Sequence, residues 1–81
     1  MHLTENYAVF PEGDIQEISG RLRLGELVDL NGRPFSGRLA GVRTIAFRVA
    51  RIRTREERGA SATYHDLELV SAAELEAYAG R

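Results

Sequence analysis

The stretch LVDLNGRPF, Leu27 to Phe35, constrains the fold more than any other part of this 81-residue chain. Asn31-Gly32 between apolar residues supplies the two positive φ angles of a type I′ hairpin turn, and a two-residue loop fixes strand register. That register sets Leu30 opposite Arg33, Asp29 opposite Pro34 and Val28 opposite Phe35, the last a cross-strand apolar pair. Pro34 then falls at a non-hydrogen-bonded pair with its missing N–H turned outward, so the strand it heads lies at a sheet edge.

The same period of two recurs elsewhere. Ile18, Leu22 and Leu24 share one face while Arg21 and Arg23 take the other, which predicts a strand from Glu17 to Leu24 followed by a bend at Gly25. Tyr7 to Phe10 is a short apolar run stopped by Pro11-Glu12-Gly13-Asp14 and reads as an N-terminal edge strand. Val42 to Gly59 is dense in β-branched and aromatic residues and is read as a strand, although Val42, Ile45, Val49 and Ile52 also fit helical spacing. Leu67 and Leu69 alternate with Asp66 and Glu68 in the next run, and REERGAS between the two runs makes them a hairpin.

Centring that hairpin between Arg58 and Gly59 faces Arg51 with Asp66 and Arg53 with Tyr64, while Ile52 and Ala50 meet His65 and Leu67 on the other side. Apolar residues occupy odd positions at Ile45, Phe47 and Val49, and arginines occupy them at 51, 53 and 55. One unbroken strand phase cannot satisfy both halves. The conflict predicts either a β-bulge between Val49 and Arg51 or a strand covered on both faces in its first half.

Ser71 and Glu74 make a capping box, and Gly80 ends a helix over 71–79 whose face carries Ala72, Leu75, Tyr78 and Ala79. The tetrapeptide SGRL occurs at Ser19 to Leu22 and again at Ser36 to Leu39. Its short length and the loss of similarity afterwards mark it as one structural solution used twice, with glycine allowing a sharp coil or a close approach. The expected fold is mainly β: one domain over residues 1–81, a small antiparallel curled sheet or partly open barrel of five or six strands, and a short C-terminal helix. The alternative is an α+β fold with a central helix over 42–58.

Chemistry is bounded by what the chain lacks. Without cysteine there is no disulfide or thiolate metal site, which fits a reducing, cytoplasmic setting. The acidic first 19 residues, with no long apolar run, argue against a signal peptide or membrane span. Gly37 to Gly41 lacks the lysine and helix opening of a phosphate loop, and His2 and His65 have no ligand spacing around them. His65 and Asp66 point to opposite faces of a strand and cannot act as a dyad, so His65 is placed at the rim of the core. Glu56 and Glu57 read as solvated partners of Arg55 and Arg58. No cofactor, metal or catalytic set is expected.

All 11 basic side chains are arginine, and they are unevenly spread. Eight lie between Arg33 and Arg58 against two acids, while two face six acids before them and one faces four after. Arg51, Arg53 and Arg55 share a face, with Arg48, Arg58 and Tyr64 nearby, forming a candidate binding ridge. Against a nucleic-acid role stand a pI near 6.1 and the acids Asp66 and Glu68 on the facing strand. The expected function is a non-catalytic protein-interaction module or accessory subunit, partnered by itself or another protein, with single-stranded nucleic acid or RNA as the alternative partner.

Overall fold

The computed structural model describes residues 3–35 and 45–79, with side chains to residue 77. Among the described residues five strands form one sheet: β1 (Leu3–Val9), β2 (Ile15–Ile18), β3 (Leu27–Val28), β4 (Phe47–Glu57) and β5 (Ala60–Leu69), followed by α1 (Ala72–Ala79). Their order across the sheet is β2-β1-β5-β4-β3, curled into a half-barrel. The fold is mainly β with a short C-terminal helix, as expected. The sheet is mixed rather than purely antiparallel, because β1 runs parallel to β5. That pairing makes β1 an interior strand, correcting its placement at an edge.

The β4–β5 hairpin is the backbone of the molecule. Arg58 and Gly59 have φ of 35° and 81°, so the tight turn with two positive φ angles occurs here. Arg51 pairs with Asp66, Ile52 with His65 and Arg53 with Tyr64, in the register read from the sequence. The phase conflict is resolved by a bulge between Val49 and Arg51. Val49, not Ala50, therefore meets Leu67, and Ala50 is the extra, exposed residue. The bulge lets Phe47 and Val49 face the core while Arg51, Arg53 and Arg55 keep to the outer face. A helix over 42–58 is overturned for residues 47–57, and 42–44 lie outside the described residues.

The Asn31-Gly32 turn differs from its expected form. Val28 bridges Pro34 rather than Phe35, leaving a three-residue loop of Leu30, Asn31 and Gly32. The Asp29 carboxylate accepts from the N–H groups of Asn31 (2.9 Å) and Arg33 (3.0 Å), and the Gly32 N–H donates to the Asp29 carbonyl (3.1 Å). Only Gly32, at φ +76°, is left-handed, which is the signature of a tight turn followed by one left-handed residue. The bonds from Asp29 N–H to Arg33 C=O and from Phe35 N–H to Leu27 C=O flank the Val28–Pro34 bridge. Pro34 thus occupies a non-hydrogen-bonded pair, where its missing N–H costs nothing.

The strand expected over Glu17 to Leu24 is shorter and earlier. β2 covers Ile15–Ile18, and the chain bends at Ser19-Gly20. Leu22 nevertheless reaches the core at 5% exposure, whereas Leu24 is 67% exposed beside the turn at Gly25. The first SGRL segment is a bend with open space around Gly20, and the second lies outside the described residues.

Two apolar clusters hold these parts. Ala8, Phe10, Leu22, Val28, Phe47, Val49 and Leu67 form the main core, with an edge-to-face contact between Phe10 and Phe47 at 5.1 Å. Ala46, Val70 and Leu75 form the second, to which Leu27 and Phe35 add, and so dock α1 against one end of the sheet. At the start of α1 the Glu74 N–H donates to Ser71 Oγ (3.2 Å), the cap expected there, while Ala72 is exposed.

Candidate functional site

The outer face of the β4–β5 hairpin carries the arginines singled out from the sequence. The antiparallel register aligns Arg53 with Tyr64, and the parallel one aligns Tyr64 with Tyr7. A cation and two rings therefore run across three strands: the Arg53 guanidinium lies 5.3 Å from the Tyr64 ring centre, and Tyr64 stacks on Tyr7 at 5.2 Å. The Tyr7 hydroxyl donates to the Glu5 carboxylate, and this bond, with partial desolvation, pushes its pKa up to about 12.

Carboxylates meet this ridge at nearly every step. Asp66 takes Arg53 through two hydrogen bonds (2.8 and 2.9 Å) and Arg51 through a third (2.9 Å). The Arg53 hydrogen bond, reinforced by Arg51, holds the Asp66 carboxyl below its ordinary range despite partial burial. Arg48 bonds Glu68 at 2.6 Å and also reaches Glu74 on α1, whose carboxyl is likewise held low, chiefly by that arginine. Arg55 pairs with Glu57 at 3.0 Å along the same strand. Of the six candidate residues, Arg48, Arg51, Arg53, Arg55 and Tyr64 project from the outer side of the hairpin, and Arg58 stands in its turn. The guanidiniums of Arg48, Arg51, Arg53 and Arg55 all have an acid partner.

A second charged region is absent from the sequence reading. A cleft of about 450 Å³ opens between β2, the bend after it and the Asn31–Pro34 turn. Its lining includes Gln16, Glu17, Ser19, Arg21, Asn31 and Arg33. Three contacts pin its walls. Gln16 Nε2 donates to the Asn31 carbonyl at 2.7 Å, which ties the turn to β2. Gly32 is buried against Ile18, where a Cβ would stand 3.0 Å from Ile18 Cγ2.

The third contact is His65. This side chain is fully buried rather than at the rim of the core, a correction to the sequence reading. The Leu22 N–H donates to its Nε2 (3.0 Å), so the ring proton sits on Nδ1 and is donated to the Tyr7 carbonyl (2.9 Å). A neutral imidazole thereby fastens the bend behind Arg21 to β1. Arg21 and Arg33 themselves are exposed, and neither guanidinium has an acid partner among the described residues. They stand twelve positions apart in the sequence, and only folding brings them to one cleft.

No trio of His, Asp or Glu among the described residues is arranged to hold a metal ion, and no helix among them is long and apolar enough to cross a membrane. No curated protein and no solved structure matches the chain. A family model described as "Uncharacterised Treponema protein" matches residues 2–78, nearly the whole length, and the chain belongs to that family.

Proposed function

We propose that the chain is a non-catalytic protein-interaction module, an accessory subunit that takes up a partner strand along β4. One observation carries this reading. Among the described residues, β3 reaches only Phe47 and Arg48 of β4, and the turn at Gly25-Glu26 reaches only Val49 of that strand. From Arg51 to Glu57 the outer edge of β4 has no strand beside it among the described residues. With the turn at Arg58-Gly59, hairpin geometry aims the N–H and C=O groups of Ile52, Thr54 and Glu56 away from β5. Such a row of unpaired groups is a template for strand addition.

A second copy of the chain is one such partner. Antiparallel pairing about Thr54 sets Arg51 opposite Glu57 of the second copy and Arg53 opposite Arg55, the latter two arginines each already holding a carboxylate of their own chain. Thr54→Pro tests the reading, since it deletes an outward donor and spares the β4–β5 ladder. Sedimentation of the wild type is expected to reveal an associated species, self-paired or bound to a partner protein, with the Ile52, Thr54 and Glu56 amides protected from exchange. The proline variant should remain alone. Free exchange of those three amides at every concentration, with or without cell extract, would contradict it.

A second reading, binding of single-stranded nucleic acid or RNA, draws support from the Arg53–Tyr64–Tyr7 row, a surface suited to base stacking. Asp66 and Glu68 weigh against it by occupying the arginines. Binding that weakens steeply with salt, on a slope flattened by Arg51→Ala with Arg53→Ala, would favour it; no binding at low salt removes it. The cysteine-free sequence suits a reducing compartment, and we assign the module to the cytoplasm, which cell fractionation tests.

A further inference from the structure

We infer that the cleft between β2 and the Asn31–Pro34 turn is a binding site for a small organic phosphate monoester, held by Arg21 and Arg33. The site is preorganised. Its two walls are joined by the Gln16–Asn31 hydrogen bond and by Gly32 packed on Ile18, and its floor is fastened through Leu22 to the buried His65. Ligand binding therefore demands little ordering of the backbone, which is what gives a shallow site affinity. The cleft, about 450 Å³, falls within the size range of small-molecule sites and exceeds what a bare inorganic anion fills.

Charge and donor count select the ligand class. Both guanidiniums lack a carboxylate among the described residues, whereas the guanidiniums of Arg48, Arg51, Arg53 and Arg55 on β4 already have one. Two planar donor forks match the three oxygens and near-dianionic charge of a phosphoryl group; a single carboxylate engages only one fork fully. Ser19 adds a hydroxyl donor at the same wall. Glu17, also in the lining, accepts hydrogen bonds but repels anions. It therefore suits the hydroxyl-bearing alcohol part of an ester rather than its phosphate, and distinguishes the ester from free phosphate.

Titration of the isotopically labelled full chain with β-glycerophosphate, followed by amide chemical shifts, tests this site. Saturable shifts are expected at Gly20 and Gly32, both in the lining of the cleft. Arg21→Gln and Arg33→Gln should each weaken binding about tenfold, the worth of one charge-assisted hydrogen bond. Glu17→Gln should tighten inorganic phosphate, by removing a repelling charge, and should weaken β-glycerophosphate relative to it. Affinity should also fall as pH drops below about 6, where the phosphoryl group takes up its second proton. Arg51→Gln with Arg53→Gln, on the outer face of β4 and not in the lining of the cleft, should leave the shifts at Gly20 and Gly32 intact. Absence of saturable shifts would overturn the site, as would equal weakening by the Arg51/Arg53 variant. Acetate binding as tightly as the phosphates would overturn the assignment of a phosphoryl ligand.

Discussion

Two groups of arginines in this molecule have opposite circumstances. On β4, Arg48, Arg51, Arg53 and Arg55 lie close together in sequence and form the densest positive run in the chain, yet each is matched by a carboxylate of Asp66, Glu68, Glu74 or Glu57. Around the cleft, Arg21 and Arg33 stand twelve positions apart, one in the acidic N-terminal part and one at the start of the basic run, and have no acid partner among the described residues. Charge density along a sequence thus says little about charge offered to a ligand. What decides is the residue opposite in the sheet register, and the register is a property of the fold.

The strongest perturbation of the contrast acts on the cleft from behind. His65→Ala removes a fully buried ring, leaves the Leu22 N–H without its partner and takes one hydrogen bond from the Tyr7 carbonyl, so stability should fall by about 3 to 5 kcal/mol. In a domain of this size that is a large share of the total. Denaturant unfolding measures it, and a loss under 1 kcal/mol (about a fivefold change in the folding equilibrium) would mean that the imidazole is not the fastening described here.

Gly32→Ala acts on the front wall. It forces a side chain into a left-handed residue at φ +76° and against Ile18, which should cost about 1 to 2 kcal/mol and shift the amides of Asn31 and Arg33. The same substitution at Gly20, which has open space around it and no positive φ, should cost much less.

Asp66→Asn tests the ridge. The pairs with Arg51 and Arg53 are partly exposed, 70% and 48% on the arginine side, so the stability loss should stay within about 1 kcal/mol. The larger consequence is electrostatic: retention on a polyanion column should rise as two guanidiniums lose their acid, and unchanged retention would show that Asp66 does not mask them. The wild-type pH response has a definite sign. Because the folded carboxyl is held below its ordinary value of 3.8, its stabilising contribution is present above that pH and is lost as pH falls through the lower folded value. Masking should therefore persist through mildly acidic solution.

The smallest effect concerns Tyr7. Tyrosine absorbance in alkaline titration should include one group near pH 12, and Glu5→Gln should bring it back toward 10.0. The raised value means that the fold keeps this proton while the unfolded chain loses it, so stability should decline as pH rises through the interval between them.

The ridge was largely legible in the sequence and the cleft was not, for physical reasons. A two-residue turn and strict alternation fix every pair from Glu57–Ala60 to Arg51–Asp66, and the clash of phases at Val49 to Arg51 leaves a bulge as one of few remedies. The Asn31-Gly32 turn departs from the two-residue form because of Asp29: an aspartate three residues before a glycine favours the turn its carboxylate can cap. β1 could be recognised as a strand from Tyr7 to Phe10, but its parallel pairing with β5, more than fifty residues away, has no local signature. The cleft depends on that long-range pairing through His65 and Tyr7, so neither its walls nor its free arginines could be seen in advance.

Proton exchange at the arginine Nε–H groups tests the contrast most directly. Arg48, Arg51 and Arg53 each donate that proton to a carboxylate at 2.8 to 2.9 Å, so their resonances should be sharp and slow to exchange with water. Those of Arg21 and Arg33 should exchange as rapidly as in a free guanidinium. Equal rates in the two groups would contradict the division between a masked ridge and an open cleft.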